Sequence, residues 1–325
     1  MRRTLRERLI IGCGALNWDI FFQVEDLSSL SFEGLTLEPG REYVLEREAF
    51  LGLLHRLKQK ALLVFEGGGG SAANTIYALA SLGFKTAFLG AVGVDPFGDR
   101  VLEELLSRGI SVERIRREGE TSLALIILDQ NRDRTIIVSP GSAERALALE
   151  DGDLFPQALY HLTSLASPEG ASFQKALLTK LPQRISFDPG EIYTGKGKDF
   201  LLHFLQKTRY LFITEGELAK SSFSQKELLN LGIDTLFLKR GKKGAKAIKR
   251  GLIVQSSVYQ APKIVDNTGA GDYFNAGVLA GLLLNLPLER ALDLGLYSAS
   301  LSLRDYGRKG IMNQIEFKNF LSRLK

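Results

Sequence analysis

The sequence predicts an α/β protein built on a mostly parallel sheet with helices on both faces, and three observations predict it. From about residue 155 onward, short apolar runs alternate with stretches of helical spacing: Leu159 to Leu165, Ser172 to Lys180, Arg184 to Phe187, Lys198 to Lys207 and Tyr210 to Ile213. Strands separated by helices require right-handed crossovers, hence parallel neighbours covered on both faces. At 325 residues the chain is long enough for the substantial core such a sheet needs. Finally, Val265-Asp266-Asn267-Thr268-Gly269-Ala270-Gly271-Asp272 leads from an apolar segment into a long helical pattern, and in open α/β sheets ligands sit at the carboxyl ends of strands.

Leu9 to Ile11 read as a buried first strand ending at Gly12-Cys13-Gly14, and Asp19 to Val24 as a second strand after a tight turn that holds Asn17 and Trp18. A dinucleotide-binding fingerprint at Gly12-Cys13-Gly14 is excluded, because Ala15-Leu16-Asn17 lacks the third glycine and no helix follows directly. Residues 25 to 45 are mixed, with a turn at Glu38-Pro39-Gly40-Arg41, and Leu45 to Lys60 has helical spacing through Phe50, Leu51, Leu54 and Leu57. Glu66-Gly67-Gly68-Gly69-Gly70 then opens a helix capped by Ser71, running to about Leu82 and stopped by Gly83. A small-residue helix follows these glycines at once, which argues against a flexible linker. Ala87 to Gly98 is a strand and a glycine-spaced turn, with Asp95-Pro96 as cap and first-turn proline of a helix ending near Arg108-Gly109. Thr121 to Asp129 and Arg134 to Val138 form an apolar hairpin around Gln130-Asn131-Arg132-Asp133. Thr235 to Leu238 lead into a glycine turn and a further strand through Ile248; Leu288 to Leu303 and Gln314 to Leu324 are helical.

Composition narrows the function classes. Hydrophobic residues make up 45% and charged residues 24%, as in ordinary globular proteins. One cysteine rules out an internal disulfide framework and suits a reducing compartment. A net charge of +5 attracts phosphorylated ligands but is too diffuse to argue for nucleic acid. Met1 to Cys13 mimics a lipoprotein signal, but its apolar run is only Leu9, Ile10 and Ile11. No apolar stretch approaches the ~18 residues needed to span a membrane. The expectation is a cytoplasmic protein with no membrane partner.

The chemistry converges on Gly269-Ala270-Gly271-Asp272. Two glycines spaced by one small residue expose backbone N–H groups, and the helix that follows adds the partial positive charge of its N-terminus. Such a site suits an anion, most naturally a phosphate. Asp272 would repel that phosphate unless it had other work, and a general base acting on an attacking hydroxyl is such work. A helix-capping acid after a loop is the alternative.

This stretch resembles the second signature of the ribokinase (PfkB) family of carbohydrate and nucleoside kinases, Asp-Thr-x-Gly-Ala-Gly-Asp before a helix. Asp266, Gly269, Ala270, Gly271 and Asp272 match; Asn267 stands where the family has Thr, and Thr268 fills the free position. The first signature begins Gly-Gly-x-x-x-Asn, matched by Gly69, Gly70 and Asn74, and an Asn-x-Asp at the first strand end is matched by Asn17 and Asp19. The resemblance implies a ribokinase-like three-layer α/β/α sandwich with a central mostly parallel sheet and a small β lid. One domain, 1–325, would carry the lid on about 20–46 and 119–139. A helical insert before the first signature is similar to the adenosine-kinase branch.

Implied roles follow residue by residue. Asp272 would be the base, with the backbone of Gly269, Ala270, Gly271 and Asp272 around the transferring phosphoryl. Asn17, Asp19, Gly69, Gly70 and Asn74 would bind the sugar. Glu217 matches the last position of an Asn-x-x-Glu element that orders Mg2+ through water, with Thr214 replacing the Asn; a plain acidic helix cap is the alternative reading. Gly241 and Gly244 would flank ATP together with Thr214, Thr268 and Lys239, although a solvated basic hairpin also explains Lys239, Arg240, Lys242, Lys243, Lys246, Lys249 and Arg250. Asp266 would border a monovalent-cation (K+) site. The implied reaction is ATP-dependent phosphorylation of a hydroxymethyl group, a ribose-type furanose or nucleoside being favoured over fructose, ketodeoxygluconate or a sugar phosphate. Trp18, Phe21 and Phe22 are candidates to cover a base, with a core role favoured for at least two of them. A non-catalytic nucleotide or sugar sensor is the rival from another class, and lid-mediated dimers in the family leave a homodimer open.

Overall fold

The computed structural model describes residues 8–25, 27, 36–130, 134–182, 184–261 and 263–323. The basic segment before residue 8, part of the first lid stretch at 28–35 and the hairpin turn at 131–133 lie outside the described residues. In chain order the strands are β1 (Ile10–Cys13), β2 (Asn17–Gln23), β3 (Glu42–Val44), β4 (Leu62–Gly69), β5 (Thr86–Val92), β6 (Ser111–Arg117) and β7 (Ser122–Leu128), followed by β8 (Arg134–Ser139), β9 (Leu159–Thr163), β10 (Ile185–Asp188), β11 (Thr208–Thr214), β12 (Thr235–Lys239), β13 (Ala245–Lys249) and β14 (Leu252–Ser256).

They form a 9-stranded sheet of order β14-β13-β12-β11-β10-β9-β1-β5-β6 and a 5-stranded sheet of order β3-β8-β7-β2-β4. The large sheet is parallel from β12 through β6, with β13 and β14 antiparallel at one edge. Successive residues of its strands enter opposite cores. Ile10, Phe88 and Phe237 pack against the helices Ser71–Ser81, Ala270–Leu283 and Leu288–Ser302. Ile11, Leu89 and Leu236 pack against Pro168–Lys180, Lys198–Leu205 and Gln225–Asn230. Two buried faces are what a parallel sheet demands, so its strands read as continuous apolar runs. The three-layer α/β/α sandwich expected from sequence is therefore the observed architecture. Among the described residues no helix is long and apolar enough to cross a membrane.

The small sheet is the lid. Along β2, Trp18, Ile20 and Phe22 point into the main core, while Asn17, Asp19 and Phe21 take the opposite face, Asp19 opposite Ala124 and Phe21 opposite Ile126. Three sequence expectations change here. The second strand begins at Asn17, two residues before the expected Asp19, so Asn17 and Trp18 belong to the strand and not to the turn. Trp18, Phe21 and Phe22 are all buried to 6% exposure or less in cores, so none is free to cover a base. Strand β4, and with it the first three residues of the glycine run, belongs to the lid, pairing Asn17 with Gly69 and Asp19 with Gly67. Strands β3, β6 and β14 were likewise not anticipated: β3 is three residues long, β6 carries Glu113 and Arg117 on exposed positions, and the exposed Leu252 and Ile253 of β14 break the alternation of buried and exposed residues.

Helix boundaries follow the capping chemistry. Asp95 caps Pro96–Ser107 by accepting from Gly98 N at 2.8 Å, as expected. Ser71 does not cap its helix: Gly70 is the cap residue, at φ 96°, and Ser71 is the first helical residue. Within Arg47–Lys60 the buried face is Phe50, Leu53, Leu54 and Leu57, and Leu51 is exposed.

Candidate active site

A cleft of about 510 Å3 opens between the lid sheet and the carboxyl ends of the large sheet. At its centre is the start of helix Ala270–Leu283. Gly269 precedes it at φ 74°, a left-handed conformation that an L side chain would strain, and no side chain caps the helix. Ala270 N–H already donates to Asn267 O at 3.4 Å, which leaves the N–H groups of Gly271 and Asp272 as the anion donors of the first turn. Asp272 is 8% exposed, and burial pushes its carboxyl up to about 7 against the opposing hydrogen bond from Asn74, whose Nδ2 donates to Oδ2 at 3.0 Å. A carboxyl poised there can take a proton near neutral pH.

One half of the cleft sets polar groups against an apolar wall. Asn17, Asp19, Gly70 and Asn74 all line it, backed by the apolar inner face of β7 and β8 at Ala124, Ile126, Ile136 and Val138. Asp19 Oδ1 and Asn17 Oδ1 are buried without a protein partner, as acceptors awaiting a ligand would be. Burial raises Asp19 to about 7, with the charge of Arg308 working the other way. Gly69 does not reach the cleft itself. A Cβ there would lie 2.0 Å from the Asp19 carboxylate, so Gly69 makes room for the acid.

The other half carries charge. Lys239, at the end of β12, pairs with Asp188 Oδ2 at 2.6 Å, and Asn275 Nδ2 donates to the same oxygen at 2.6 Å. Burial alone would lower the Lys239 ammonium, but Asp188 and Glu217 more than offset it and hold the lysine charged. An added Cβ on Gly271 would lie 3.5 Å from Lys239 Nζ, which places that cation beside the anion donors. Thr214 and Glu217 form a reciprocal capping box at the start of helix Glu215–Lys220: Thr214 N donates to Glu217 Oε2 at 2.7 Å and Glu217 N to Thr214 Oγ1 at 3.1 Å. Both also line the cleft, so the cap reading and the ligand reading describe one pair of residues. Burial raises Glu217 against the attraction of Lys239.

Of the basic hairpin, Lys239 lines the cleft while Lys242, Lys243, Lys249 and Arg250 are solvent-exposed and Arg240 pairs with Glu215 at 3.0 Å. Gly241 lines the cleft, but Gly244 does not: a Cβ there would meet Ser256 O at 2.0 Å, so it serves the packing of β14. Thr268 lines the cleft with its Oγ1 buried and unpartnered. Asp266 sits behind it, 2% exposed, accepting from Thr268 N at 2.8 Å and Gly307 N at 3.1 Å.

Several residues come from outside the motifs. Asp188 was seen only as a strand end, and Arg41, Glu42 and Arg134 enter from β3, its approach and β8. Arg134 Nη1 donates to both the backbone and side-chain oxygens of Asn267 at 3.1 Å, tying the lid to the loop before the helix. Arg308 reaches Asn74 from the segment between Leu303 and Gln314, to which the sequence reading assigns no element. The Asp-Pro-Gly at the end of β10 was the one local signal for any of them. As to Mg2+, no cluster of three or more His, Cys, Asp or Glu among the described residues could hold a metal. The donor set, two carboxylates at Asp188 and Glu217 across a lysine, fits an ion that keeps most of its water and leans on phosphates.

Comparison with known proteins agrees with this geometry. An uncharacterized sugar kinase of Archaeoglobus fulgidus is 31% identical over 252 residues, 73% of this chain and 99% of that protein. An ATP-dependent ribose-1-phosphate kinase of Halopiger xanaduensis is 26% identical, with 93% of each chain covered. The crystal structure of adenosine kinase from Sinorhizobium meliloti superimposes with a TM-score of 0.80 at 19% identity, covering 97% of this chain and 99% of that one, and so shares its fold. The pattern of the pfkB family carbohydrate kinases matches residues 58–313, from the last turn of helix Arg47–Lys60 to Asn313, just past Arg308. With that match taking in both signatures and the buried aspartate between the two halves of the cleft, this chain belongs to the pfkB family of carbohydrate kinases.

Proposed function

We propose that the protein transfers the γ-phosphoryl group of MgATP to a hydroxymethyl group of a ribose-type furanose, free or within a nucleoside. The observation that carries this is the position of Asp272: a buried carboxyl at an uncapped helix N-terminus, between the hydroxyl-binding pair Asn17 and Asp19 and the cation Lys239. Asp19 and Asn17 accept hydrogen bonds from vicinal hydroxyls and so fix the acceptor. Asp272 Oδ1 takes the proton of its hydroxymethyl group, the freed oxygen attacks the γ-phosphorus, and the bond to the β-phosphate oxygen breaks to release ADP. The N–H groups of Gly271 and Asp272, with Lys239, face the charge that builds on the transferring group. Mg2+, when bound near Asp188 and Glu217, neutralises phosphate charge. Thr214, Thr268 and Gly241 line the same half and complete the nucleotide site.

A monovalent cation beside Asp266 is part of the proposal, resting on the buried carboxylate of Asp266, which draws the 266–268 loop and Gly307 together through Thr268 N and Gly307 N. Exposed Leu62 and Leu63 on the edge strand β4 support a homodimer through the lid. A sugar phosphate is the second reading of the acceptor. Arg41 and Arg134 both line the cleft, a basic pair the sequence did not disclose, and a ribose-1-phosphate kinase is among the relatives.

The test is ADP release from MgATP with ribose, ribose 1-phosphate, adenosine and other nucleosides, fructose and ketodeoxygluconate, run beside Asp272→Asn. Turnover of a furanose or nucleoside that the variant loses is expected. Turnover surviving Asp272→Asn would end the assignment of the base, and turnover of ribose 1-phosphate in preference to the rest would select the second reading.

A further inference from the structure

Arg308 lies outside both signatures, in the segment Gly307–Gly310, and is buried to 7% exposure. Three of its donors are placed: Nε on Asn74 Oδ1 at 3.0 Å, Nη2 on Gly69 O at 3.2 Å and Nη1 on Glu104 Oε2 at 3.1 Å. The ring of Tyr77 lies 4.8 Å from its guanidinium carbon. Glu104 also accepts from Gly68 N through both oxygens at 3.1 Å. Gly68 has to be glycine for this, since a Cβ would stand 2.6 Å from Arg308 Nη1.

The consequence falls on Asn74. A carboxamide has a donor end and an acceptor end, whereas a guanidinium has donors only. Arg308 therefore holds the oxygen of Asn74 toward itself, and the amide NH2 is left facing Asp272, where it reaches Oδ2 at 3.0 Å. A flipped amide would set oxygen against carboxylate and NH2 against guanidinium. We propose that Arg308 is a positioning residue for phosphoryl transfer: acting through Asn74, it keeps one oxygen of Asp272 hydrogen-bonded and the other turned to the acceptor hydroxyl. The proposal rests on Asp272 being the base.

The same cation faces Asp19, so the acid that holds the acceptor and the base that deprotonates it share one buried guanidinium. Asp188, Lys239 and Arg134 also face Asp272, and Asp272, Asp266 and Glu104 face Asp19. Arg308 differs from these in reaching Asp272 through an oriented amide.

Protein carrying 13C at the aspartate carboxyls, titrated by NMR without ligand, reads Asp272 directly, with Asp272→Asn identifying its resonance. Arg308→Gln frees the amide to flip, and the Asp272 midpoint is expected to rise by about 0.5–1 pH unit. With ribose, adenosine and fructose as acceptor probes, the acidic limb of kcat/KM moves with it and kcat falls about tenfold or more. Glu104→Gln removes the brace but leaves the guanidinium on Asn74, so the midpoint stays at or below the wild-type value. A midpoint unmoved in Arg308→Gln, or raised equally in Glu104→Gln, overturns the proposal and leaves Arg308 a packing element. Should Arg308→Gln fail to fold, Arg308→Lys keeps a donor toward Asn74 and must hold the wild-type midpoint; a raised midpoint there overturns the proposal as well. The titration needs no turnover, so it can fail while the kinase reading stands; turnover surviving Asp272→Asn would overturn both.

Discussion

Asp272 and Asp19 are both held near neutrality by burial, and this has consequences for rate and for stability. For the rate, a general base works only when deprotonated, so kcat/KM for the acceptor should climb with pH through a midpoint of about 7 and then level off. A steady-state pH profile checks this; an acidic limb at the ordinary carboxylate range would contradict it. For stability, the folded-state value lies above the unfolded one of 3.8, so the fold binds the proton more tightly than the unfolded chain does. The stabilisation is complete below about pH 4 and is lost as pH rises through about 7. Asp272→Asn should therefore raise the melting temperature at pH 8 by about 1–3 °C and leave it unchanged at pH 4. Thermal unfolding at the two pH values is the measurement, and an equal effect at both would disprove the burial argument.

Two short elements set the two halves of the cleft, and they should fail separately. Strand β4 ends at Gly69, where the Asp19 carboxylate occupies the space of a Cβ. Gly69→Ala should push Asp19 aside and raise KM for the acceptor about tenfold or more, with KM for MgATP unchanged. The helix Glu215–Lys220 starts from the Thr214–Glu217 capping box. Thr214→Ala removes one cap bond, costs about 1 kcal/mol of local stability and should raise KM for MgATP while sparing the acceptor. Initial-rate kinetics with each substrate varied in turn separate the two; a variant that raises both constants alike would mean that the halves are not independent. The capping box also shows why a local motif is ambiguous: Ser/Thr-x-x-Glu starts a helix wherever it occurs, and only the cleft beside it adds a second use.

Across the whole molecule polar pairs tie the lid to the loops around the cleft. Arg134 of β8 binds Asn267 of the loop before helix Ala270–Leu283, and Arg41 beside β3 pairs with Glu191 at 3.5 Å. An acceptor bound against the inner face of β7 and β8 adds contacts across that gap. Amide hydrogen exchange in β3 and β8 should accordingly slow in the presence of acceptor and ADP, while the distant edge strand β14 keeps its rate. Exchange by mass spectrometry decides it, and equal slowing of β14 would point to general stabilisation instead of closure.

The sequence by itself determined the sandwich and the centre of the site. Continuous apolar strands separated by helical periods read as a covered parallel sheet, and Gly269-Ala270-Gly271-Asp272 before a helix points, through local backbone geometry, to the anion site and base proposed above. Asn17 and Asp19 were legible only through the resemblance of Asn-x-Asp to the family pattern; that they share a face, as residues two apart in a strand do, came from β2 starting at Asn17. Tertiary structure decided the rest. Arg308, Arg134 and Arg41 have no local pattern and Asp188 only its Asp-Pro-Gly; distant segments bring Arg134, Arg41 and Asp188 to the cleft and Arg308 to Asn74 at its edge: Arg308 meets Asn74 across 234 positions and Arg134 meets Asn267 across 133. The glycine run was visible as a place for close approach, but that Gly69 yields to a carboxylate and Gly68 to a guanidinium follows only from what packs against them. Local sequence specifies backbone conformation and amphipathic faces, whereas charge pairing and steric exclusion depend on neighbours that the chain acquires by folding.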